Sequence, residues 1–457
     1  MNKRLVILGA GESGVGAAML GKAKGFDVFV SDIGEIREKY KGILEKEKIA
    51  YESGKHTEEK ILNASLVIKS PGIPDKEPLV RKIISKDIEV ISEIEFAAHY
   101  SKAKFIAITG SNGKTTTTLL TYHILKKLGL NVGLAGNIGE SLAKQVLEDK
   151  FDYYVLELSS FQLDGMYKFR AHVAVLLNIT PDHLDRYDYK FENYIDSKFK
   201  VIQNMLPEDY FIFFSDDEVI MNEVQKREIE PHEIAISVKE KMINGAYLSD
   251  KNIMVNINDH VTRYYNLNVE DLPLQGKHNM INTMAAVLTA SLLDLPDSEF
   301  IEVMKDFKNA PHRLEEAGTI NNIRFINDSK ATNVDSVCYA LDTIKRPIIL
   351  IAGGIDKGND YSQIEKLVKE KVKALVCMGK DNSKLHQAFD GEVKNIIDTD
   401  NMIDAVTKGF ELAKSGDVVL LSPACASFDL FRNYEDRGEQ FKNVVNSLKI
   451  LAESKKR

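Results

Sequence analysis

A phosphate-binding loop is the clearest chemical feature of this sequence. The eight residues Thr109–Thr116, TGSNGKTT, lie between an apolar run that ends at Ile108 and a helical pattern. Backbone N–H groups at such a helix start can cradle phosphates, and a lysine placed like Lys114 reaches the β and γ phosphates of a nucleotide. The spacing departs from the usual P-loop, because the glycine before Gly113 is Gly110, only three residues earlier. The order of strand, glycines, Lys-Thr pair and helix still predicts nucleotide binding.

Two polar segments follow neighbouring strand patterns, and their residue types suit a divalent cation. Glu157 ends the run Tyr153–Leu156, where a sheet of this kind commonly presents a carboxylate to Mg²⁺. The next strand pattern leads into Asn178–Arg186, NITPDHLDR, so His183 is expected at the same edge of the sheet. A strand-end glutamate alone is often only solvated, and a lone loop histidine is usually structural. Their convergence predicts a magnesium site.

Lys198 is out of place on the helix that follows. It falls into an apolar row, which we assign to Phe191, Ile195, Ile202 and Met205. A lysine in such a row commonly extends its ammonium to solvent. Alternatively it is buried beside the metal site, where Mg²⁺ would repel a cation and favour a modified, anionic side chain. Both interpretations stay open at this point.

A second glycine-rich turn lies near the start of the chain. Gly9–Gly14, GAGESG, follows a strand pattern and precedes a helical one, and Asp32 closes the next strand. Glycines in this arrangement permit a tight turn and let the backbone approach a pyrophosphate at the helix start. The turn indicates NAD or another nucleotide diphosphate, unless its glycines serve packing alone.

The elements that carry these residues predict an α/β fold. Short apolar runs that end in Gly, Ser or Asp and lead into helical patterns recur along the chain, which is the signature of parallel sheets. The runs form three sets, and each set predicts one sheet. They are Leu5–Leu8, Val28–Val30 and Leu66–Ile68; Phe105–Ile108, Tyr153–Leu156 and Val173–Leu177; and Ile348–Ile351, Ala374–Met378 and Val418–Leu421.

Three sheets predict three domains, which suits 457 residues because a single core stops growing well below that length. We place the boundaries near residues 93 and 309, which gives domains of 1–93, 94–308 and 309–457. The first and last are expected to be Rossmann-like and the middle one P-loop ATPase-like. Residues 210–275 alternate apolar and polar types, so we predict strands and turns appended to the middle domain.

The composition is that of an ordinary globular protein, with 44% hydrophobic and 28% charged residues. A net charge of -8 argues against a nucleic-acid partner, and the basic end Lys455–Arg457 is too short to change this. Three cysteines, Cys338, Cys377 and Cys425, show neither a CxxC pair nor metal-site spacing and are interpreted as reduced thiols. No apolar run suits a signal peptide or a membrane helix, so we expect a cytoplasmic protein without membrane insertion.

Eight motifs in order resemble those of the Mur ligases, across all three predicted domains. They are TGSNGKT, GNIG (136–139), ELSSFQL (157–163), NITPDHLDR, HNMIN (278–282), PHRLE (311–315), NDSKATN (327–333) and SPACASFD (422–429). ELSSFQL, NDSKATN and SPACAS are most similar to the D-glutamate-adding branch. The resemblance implies a monomeric, ATP-dependent amide ligase of peptidoglycan precursor synthesis, which joins D-glutamate to UDP-N-acetylmuramoyl-L-alanine through an acyl phosphate.

The resemblance reassigns the N-terminal turn from NAD to the uridine diphosphate of the substrate. It implies that the uridine nucleotide contacts Glu12, Ser13, Asp32, Ser70 and Gly72. The sugar and peptide portion would face Asn137 and Gln162. D-glutamate or its reaction partners would be positioned by Lys330, Thr332, Lys357, Ser427, Phe428 and Tyr434. Two sites depart from the family pattern, since Ile33-Gly34 stands where relatives carry polar and Arg residues, and Tyr434 replaces a typical phenylalanine.

For ATP and its metal ions the resemblance implies a further set of residues. ATP would contact Gly110, Ser111, Asn112, Gly113, Lys114, Thr115, Thr116, Asn279, Asn282, His312, Arg313 and Asp328. Two Mg²⁺ ions would be held by Thr115, Thr116, Glu157, His183 and Lys198, the last as a carbamate formed with CO₂. The catalytic group would then comprise Lys114, Glu157, His183 and Lys198.

Three other classes of protein account for parts of the sequence. A folylpolyglutamate synthetase of the same superfamily shares the P-loop and the lysine carbamate, but does not need the GAGESG turn. A dehydrogenase explains that turn and leaves TGSNGKT and HNMIN without a role. A nucleotide-switch protein would not need two further nucleotide-sized domains. Phosphate release from ATP without added NAD distinguishes these alternatives.

Overall fold

Three parallel-rich sheets organise the residues that the computed structural model describes, 3–258 and 262–454. The basic end Lys455–Arg457 lies outside these residues. The predicted α/β class is confirmed, and the predicted strand runs fall within observed strands, except that the third run of the second sheet extends one residue too far, to Leu177. Among the described residues, no helix combines the length and the apolar character that crossing a membrane requires.

The first sheet has five parallel strands in the order β3-β2-β1-β4-β5. Its strands are β1 (Arg4–Leu8), β2 (Asp27–Asp32), β3 (Ala50–Ser53), β4 (Leu66–Lys69) and β5 (Glu89–Ile91). The helices are α1 (Glu12–Ala23), α2 (Glu38–Lys46), α3 (Glu58–Ile61), α4 (Pro78–Ile84) and α5 (Glu93–Ala98). Residues 5–8 of β1 are buried on both faces of the sheet, which explains the unbroken apolar run.

The second sheet has nine strands in the order β14-β13-β12-β11-β10-β9-β6-β8-β7. Its strands are β6 (Lys104–Thr109), β7 (Val132–Gly136), β8 (Tyr153–Glu157), β9 (Val173–Leu176), β10 (Tyr210–Phe214), β11 (His232–Ser237), β12 (Gly245–Ser249), β13 (Asn252–Asn258) and β14 (Thr262–Asn268). The helices are α6 (Lys114–Lys127), α7 (Leu142–Val146), α8 (Ser160–Leu163), α9 (Phe191–Phe199), α10 (Glu218–Lys226), α11 (Lys277–Leu292) and α12 (Phe300–Met304).

Two local predictions for this region need correction. Strands β10 to β14 extend the same sheet, as the strand prediction for 210–275 requires. That prediction omits helix α10. The Asp217 carboxylate caps this helix by accepting hydrogen bonds from Val219 N and Ile220 N. Helix α9 ends at Phe199, and a 3₁₀ turn runs to Ile202, so Met205 lies outside the helical row.

The third sheet has six strands in the order β15-β16-β20-β17-β18-β19. Its strands are β15 (Glu315–Ile320), β16 (Ile323–Asn327), β17 (Ile348–Ala352), β18 (Val372–Met378), β19 (Asn395–Thr399) and β20 (Val418–Leu421). The helices are α13 (Val334–Thr343), α14 (Ser362–Lys371), α15 (Ser383–Phe389), α16 (Met402–Leu412) and α17 (Tyr434–Ser454). Only the β15–β16 pair is antiparallel, as expected for helix-covered parallel strands with one hairpin at the edge.

Two compact units contain these sheets. The first comprises Met1–Leu274 and Asn279–Phe307 and holds the first two sheets, and the second comprises Gln275–His278 and Lys308–Arg457 and holds the third. The boundaries near residues 93 and 309 stay predictions.

Within the first unit, the sheets are joined by interlocked contacts between α1, α5 and α7. A Cβ on Gly16 would lie 2.0 Å from Ser141 Oγ, so only glycine fits at this crossing. The buried Glu93 carboxylate accepts hydrogen bonds from Ser141 Oγ (2.7 Å) and Ala143 N (2.6 Å). Burial raises the pKa of this carboxyl group. The junction is therefore a packed interface that contains a buried acid.

Candidate active site

The phosphate loop connects β6 to α6 with the backbone that the motif predicts. Gly113 is the residue before the helix and has φ +86°, and a Cβ there would lie 2.6 Å from Asn282 Oδ1. Both the conformation and the close approach therefore require glycine. The Lys114 side chain folds back over the loop, where Nζ donates to the carbonyl oxygens of Gly110 and Ser111, each at 2.8 Å.

Asn178, just beyond β9, clamps this loop, a role that the sequence analysis did not assign. Its carbonyl oxygen accepts from Ser111 N at 2.9 Å. Its side-chain amide accepts from Asn112 N at 2.7 Å and donates to Asn112 O at 3.0 Å. The only sequence signal was its place at the start of NITPDHLDR, directly after a strand.

Glu157 lies at the end of β8, beside the loop. The residue is paired with Ile108 of β6 and with Gly136 of β7, and it is 1% exposed. Its Oε1 accepts from Asn137 Nδ2 at 2.7 Å, whereas its Oε2 is buried without a hydrogen-bond partner among the described residues. A buried carboxylate oxygen without a partner can bind a cation, or accept a hydrogen bond from a donor, that the chain itself does not supply.

Lys198 is buried, which removes the interpretation that its ammonium extends to solvent. The side chain is 1% exposed, and Nζ donates to Gly110 O at 2.9 Å and Thr109 Oγ1 at 3.1 Å. The Tyr194 ring centroid lies 5.3 Å from Nζ. Burial, followed by the nearby Lys114 charge, lowers the pKa of Lys198 well below its usual value.

His183 occupies a different environment from Lys198. It has φ +53°, its side chain is 38% exposed, and Nε2 lies 3.6 Å from Asp182 Oδ2. The ring packs edge-on against Phe161, with centroids 5.1 Å apart. Thr115 and Thr116, by contrast, are buried in the first turn of α6.

The amides of α11 meet the phosphate loop from the other side. Asn282 Oδ1 accepts from Thr117 Oγ1 at 3.0 Å, and Asn282 Nδ2 donates to Asn279 Oδ1 at 3.1 Å. Both asparagines are buried. The structure thus brings two more of the predicted ATP residues to the loop.

The N-terminal turn has the predicted strand-turn-helix form. Gly9 has φ +95°, and a Cβ there would lie 2.3 Å from Ser70 Oγ. The Asp32 carboxylate accepts from Ala10 N at 2.7 Å and from Gly34 N at 2.9 Å. Asp32 therefore shapes the turn itself.

Other predicted substrate residues border this turn. Glu12 begins α1, next to Ser13, and its Oε2 accepts from Tyr40 OH at 3.2 Å. Arg186, which the sequence analysis did not single out, donates to Pro71 O and Gly72 O at 3.2 Å and lies over the Phe161 ring.

Gln162 already serves a helix cap. Its side-chain oxygen accepts from Ser159 N and Ser159 Oγ, each at 3.0 Å, which completes a capping box at α8. The predicted contact of Gln162 with substrate is therefore left to its amide nitrogen.

In the second unit, Asp328 follows β16 and is buried. Its Oδ2 accepts from Ser422 Oγ at 2.9 Å and its Oδ1 from Leu314 N at 3.2 Å. Burial raises the pKa of Asp328 to about 6, although the nearby Arg313 charge acts in the opposite direction. Arg313 Nε is buried without a partner among the described residues.

His312 is packed beneath α17. It has φ +63°, its Nδ1 lies 2.9 Å from Asn327 Nδ2, and a Cβ on Gly438 would come within 2.2 Å of that nitrogen. The ring is 5% exposed.

The predicted amino-acid residues lie at the carboxyl ends of three strands of the third sheet. Lys330 Nζ is 5.5 Å from the Tyr434 ring centroid. Thr332 is half-buried, Ser427 is buried, and Lys357 and Phe428 are exposed.

Arg437, which the sequence analysis missed, joins two of these segments. It is fully buried and donates to Ser329 Oγ (3.0 Å), Ser329 O (2.9 Å) and Cys425 O (3.2 Å). Burial lowers its pKa to about 10. NDSKATN and SPACASFD are thus held together by one guanidinium.

Comparisons with known proteins find similarity over nearly the whole chain. Family models match residues 3–92 (Mur ligase MurD-like, N-terminal domain), 108–290 (Mur ligase middle domain) and 312–425 (Mur ligase, glutamate ligase domain). A UDP-N-acetylmuramoylalanine--D-glutamate ligase of Cytophaga hutchinsonii is 57% identical over 98% of this chain and 100% of its own length. Proteins with the same name from Bacteroides fragilis and Salinibacter ruber are 53% and 39% identical, and each alignment covers at least 97% of both chains.

Solved structures share the fold at lower identity. The UDP-N-acetylmuramate-alanine ligase MurC of Thermotoga maritima has a TM-score of 0.63 at 19% identity, covering 98% of this chain and 100% of its own. A pseudomurein peptide ligase type C from Methanothermus fervidus has a TM-score of 0.61 at 20% identity, with the same coverage.

Proposed function

The chain belongs to the Mur ligase family, and we propose that it joins D-glutamate to UDP-N-acetylmuramoyl-L-alanine, with ATP as the energy source, in peptidoglycan synthesis. Relatives at 51% to 57% identity over 98% of the chain carry that activity in their names. The structural observation that carries the proposal is the buried, partnerless Glu157 Oε2 beside a phosphate loop.

The surroundings of Glu157 fit Mg²⁺. An ionised oxygen buried without a hydrogen bond is costly unless a cation pairs with it, and carboxylate and hydroxyl oxygens suit this ion. We assign one ion to Glu157 with the hydroxyls of Thr115 and Thr116, and a second to His183 and Lys198. Such ions neutralise charge on the transferring phosphoryl group when bound.

Lys198 is proposed to act as a carbamate. Burial lowers the pKa of Lys198 and so favours the neutral amine, which is the form that reacts with CO₂. The amine nitrogen bonds to the carbon of CO₂ and loses a proton, which converts a cationic side chain into an anionic one. A buried anion beside Lys114 is electrostatically favourable, whereas a second ammonium there is not.

The chain's own groups then act on two successive substrate reactions. The alanyl carboxylate attacks the γ-phosphorus of ATP, the bond to ADP breaks, and an acyl phosphate forms. Loop N–H groups hold the phosphates, while Lys114, now bonded to Gly110 O and Ser111 O, supplies positive charge to the transferring group. The D-glutamate amine then attacks the activated carbonyl, loses a proton and expels phosphate to leave an amide.

We propose that Lys330, Thr332, Lys357 and Ser427 bind the carboxylates of D-glutamate through charge-assisted hydrogen bonds, with Phe428 and Tyr434 as neighbouring walls. The same proposal includes the contacts with uridine and with the rest of the substrate. The uridine contacts are Glu12, Ser13, Asp32, Ser70 and Gly72, and the other substrate contacts are Asn137 and Gln162. It also includes ATP contacts by Asn279, Asn282, His312, Arg313 and Asp328.

Phosphate release from ATP with UDP-N-acetylmuramoyl-L-alanine tests the function. D-glutamate, L-glutamate, L-alanine, L-lysine and meso-diaminopimelate are compared without NAD, and only D-glutamate should support turnover. Equal use of L-glutamate would contradict the D-glutamate assignment, and turnover with lysine or diaminopimelate alone would point to a different amino acid. We also propose that the protein is a cytoplasmic monomer. Sedimentation that shows a concentration-dependent dimer would contradict the monomer.

A further inference from the structure

A cysteine, a histidine and an aspartate that the proposed function does not use meet in the second unit. One ligand atom from each of Cys377, His386 and Asp398 lies within 4.8 Å of the other two. His386 Nε2 is 3.0 Å from Asp398 Oδ2, and Cys377 is fully buried beneath this pair. The sequence analysis found no metal-site spacing for the cysteines, because Cys377, His386 and Asp398 lie on three different elements, β18, α15 and β19.

The fold places these side chains together through strand register. Cys377 of β18 pairs with Asp398 of β19, and paired residues of parallel neighbouring strands point to the same face of a sheet. Helix α15 crosses that face and presents His386. The backbones of two strands and one helix therefore set the positions of the three donor residues.

Two further contacts prepare His386 and Asp398 for a cation. His386 Nδ1 lies 3.2 Å from Asp390 Oδ1, the carboxylate-histidine arrangement that orients a metal-binding imidazole. Asn382 Nδ2 donates to Asp398 Oδ1 at 2.9 Å, while Asn382 Oδ1 is buried without a partner in the described part of the chain. A shallow groove on the surface is lined by His386 and Asp398, so solvent reaches this side of the cluster.

We propose that Cys377, His386 and Asp398 bind a borderline divalent cation such as Zn²⁺ or Co²⁺, with a fourth position open to water. Thiolate, imidazole and carboxylate together suit such ions, whereas Mg²⁺ requires oxygen donors. Zinc bonds of about 2.0 to 2.3 Å place ligand atoms roughly 3.3 to 3.6 Å apart, so closure needs shifts of about 1 Å. The cation replaces the thiol proton of Cys377 and the Nε2 proton that His386 donates to Asp398, and both protons are released to solvent.

Co²⁺ titration of the full-length protein tests the site. The assay contains excess Mg²⁺ to occupy oxygen-only sites, a phosphine reductant and no ATP. Wild-type protein should show one thiolate-to-Co²⁺ charge-transfer band per chain, which is absent in Cys377→Ser and retained in Cys338→Ser and Cys425→Ser. Because Cys377 is buried, the exposed side of the site supplies second variants: His386→Gln should weaken binding more than about tenfold, and Asp390→Asn about tenfold.

The outcomes separate this site from ordinary surface ion pairs. Absence of the band in folded wild-type protein, or its persistence in Cys377→Ser, overturns the proposal. A folded His386→Gln variant with wild-type affinity overturns it as well, since the imidazole would then not be a ligand. None of these readouts depends on ligase activity, so the proposed function stands or fails separately.

Discussion

Lys114 and Lys198 donate hydrogen bonds to the same acceptor, the carbonyl oxygen of Gly110, at 2.8 and 2.9 Å. Two ammonium groups that share one acceptor repel each other, and the Lys114 charge is the largest cause after burial of the lowered Lys198 pKa. The geometry is stable when one of the two loses its charge or reverses it. The proposed carbamate on Lys198 would meet this condition, while Lys114 keeps the positive charge proposed to act on phosphate.

Loss of the Lys198 side chain should abolish turnover. Lys198→Ala is expected to be inactive and to regain part of its activity with formate or acetate, because a small carboxylate can replace the missing anion in the buried site. Phosphate release measures both effects, and the exposed Lys190→Ala serves as control. Full activity of folded Lys198→Ala would exclude the carbamate, as would the absence of a carbamate ¹³C signal in wild-type protein given ¹³CO₂.

Removal of the Lys114 ammonium should slow the reaction strongly. Lys114→Ala is expected to raise the barrier by at least ~3 kcal/mol, the scale observed when a charge-stabilising donor is lost. Steady-state phosphate release gives the value. Lys126→Ala, at the exposed end of the same helix, is the matched control. Near-normal turnover of a folded Lys114→Ala variant would refute the phosphate-loop assignment.

The Asn178 clamp should set the affinity of the loop for ATP. Asn178→Ala leaves Asn112 N and Asn112 O without their side-chain partner, at a cost of about 1 to 3 kcal/mol. The expected result is a KM for ATP raised by about fivefold or more, together with a lowered unfolding midpoint. Asn131→Ala removes an exposed amide elsewhere and should leave KM unchanged. An unchanged KM in both variants would show that the loop keeps its shape without the clamp.

Asp328 should make the second unit less stable as pH rises. Its pKa is about 6 when folded and near 3.8 when unfolded, so the folded state binds the proton more tightly. The stabilisation is fully present below about pH 4 and is lost as pH rises through about 6, by up to ~3 kcal/mol. Asp328→Asn keeps a hydrogen-bonding group but removes this titration.

Urea unfolding by circular dichroism between pH 4 and 7 checks this expectation. The stability of Asp328→Asn relative to wild type should increase across that range, while Asp400→Asn, at an exposed position, should follow wild type. Parallel pH profiles for wild type and Asp328→Asn would show that the carboxyl group is already ionised at low pH.

Arg437 should act as a positioning residue for the amino-acid pocket. Arg437→Met removes the donors that hold Ser329 O, one residue before Lys330, and Cys425 O, two residues before Ser427. We expect KM for D-glutamate to rise about tenfold or more, and KM for ATP much less. Arg432→Met, on the exposed side of the same segment, is the control. Equal changes in both KM values would indicate general destabilisation instead.

The phosphate loop was predictable from sequence because strand, glycines and helix are local features. The burial of Lys198 was not, since an apolar row is compatible with a snorkelling lysine and only the packing of α9 against Thr109 and Gly110 decides between them. The roles of Asn178 and Arg437 were not predicted, for a related reason. Each acts on a segment that the fold brings to it, through backbone contacts that leave no spacing pattern. The Cys377 cluster likewise depends on the register of β18 and β19.

The contact of Gly16 with Ser141, and of Ser141 with Glu93, has an evolutionary consequence. A side chain at position 16 would displace Ser141, and a larger residue at 141 would displace both α1 and the buried acid. None of the three positions can be substituted alone, because a side chain that fits one of its two neighbours would disrupt the contact with the other. They should therefore covary across homologous lineages, so that an N-terminal domain exchanged between distant relatives is accepted only together with its own α7.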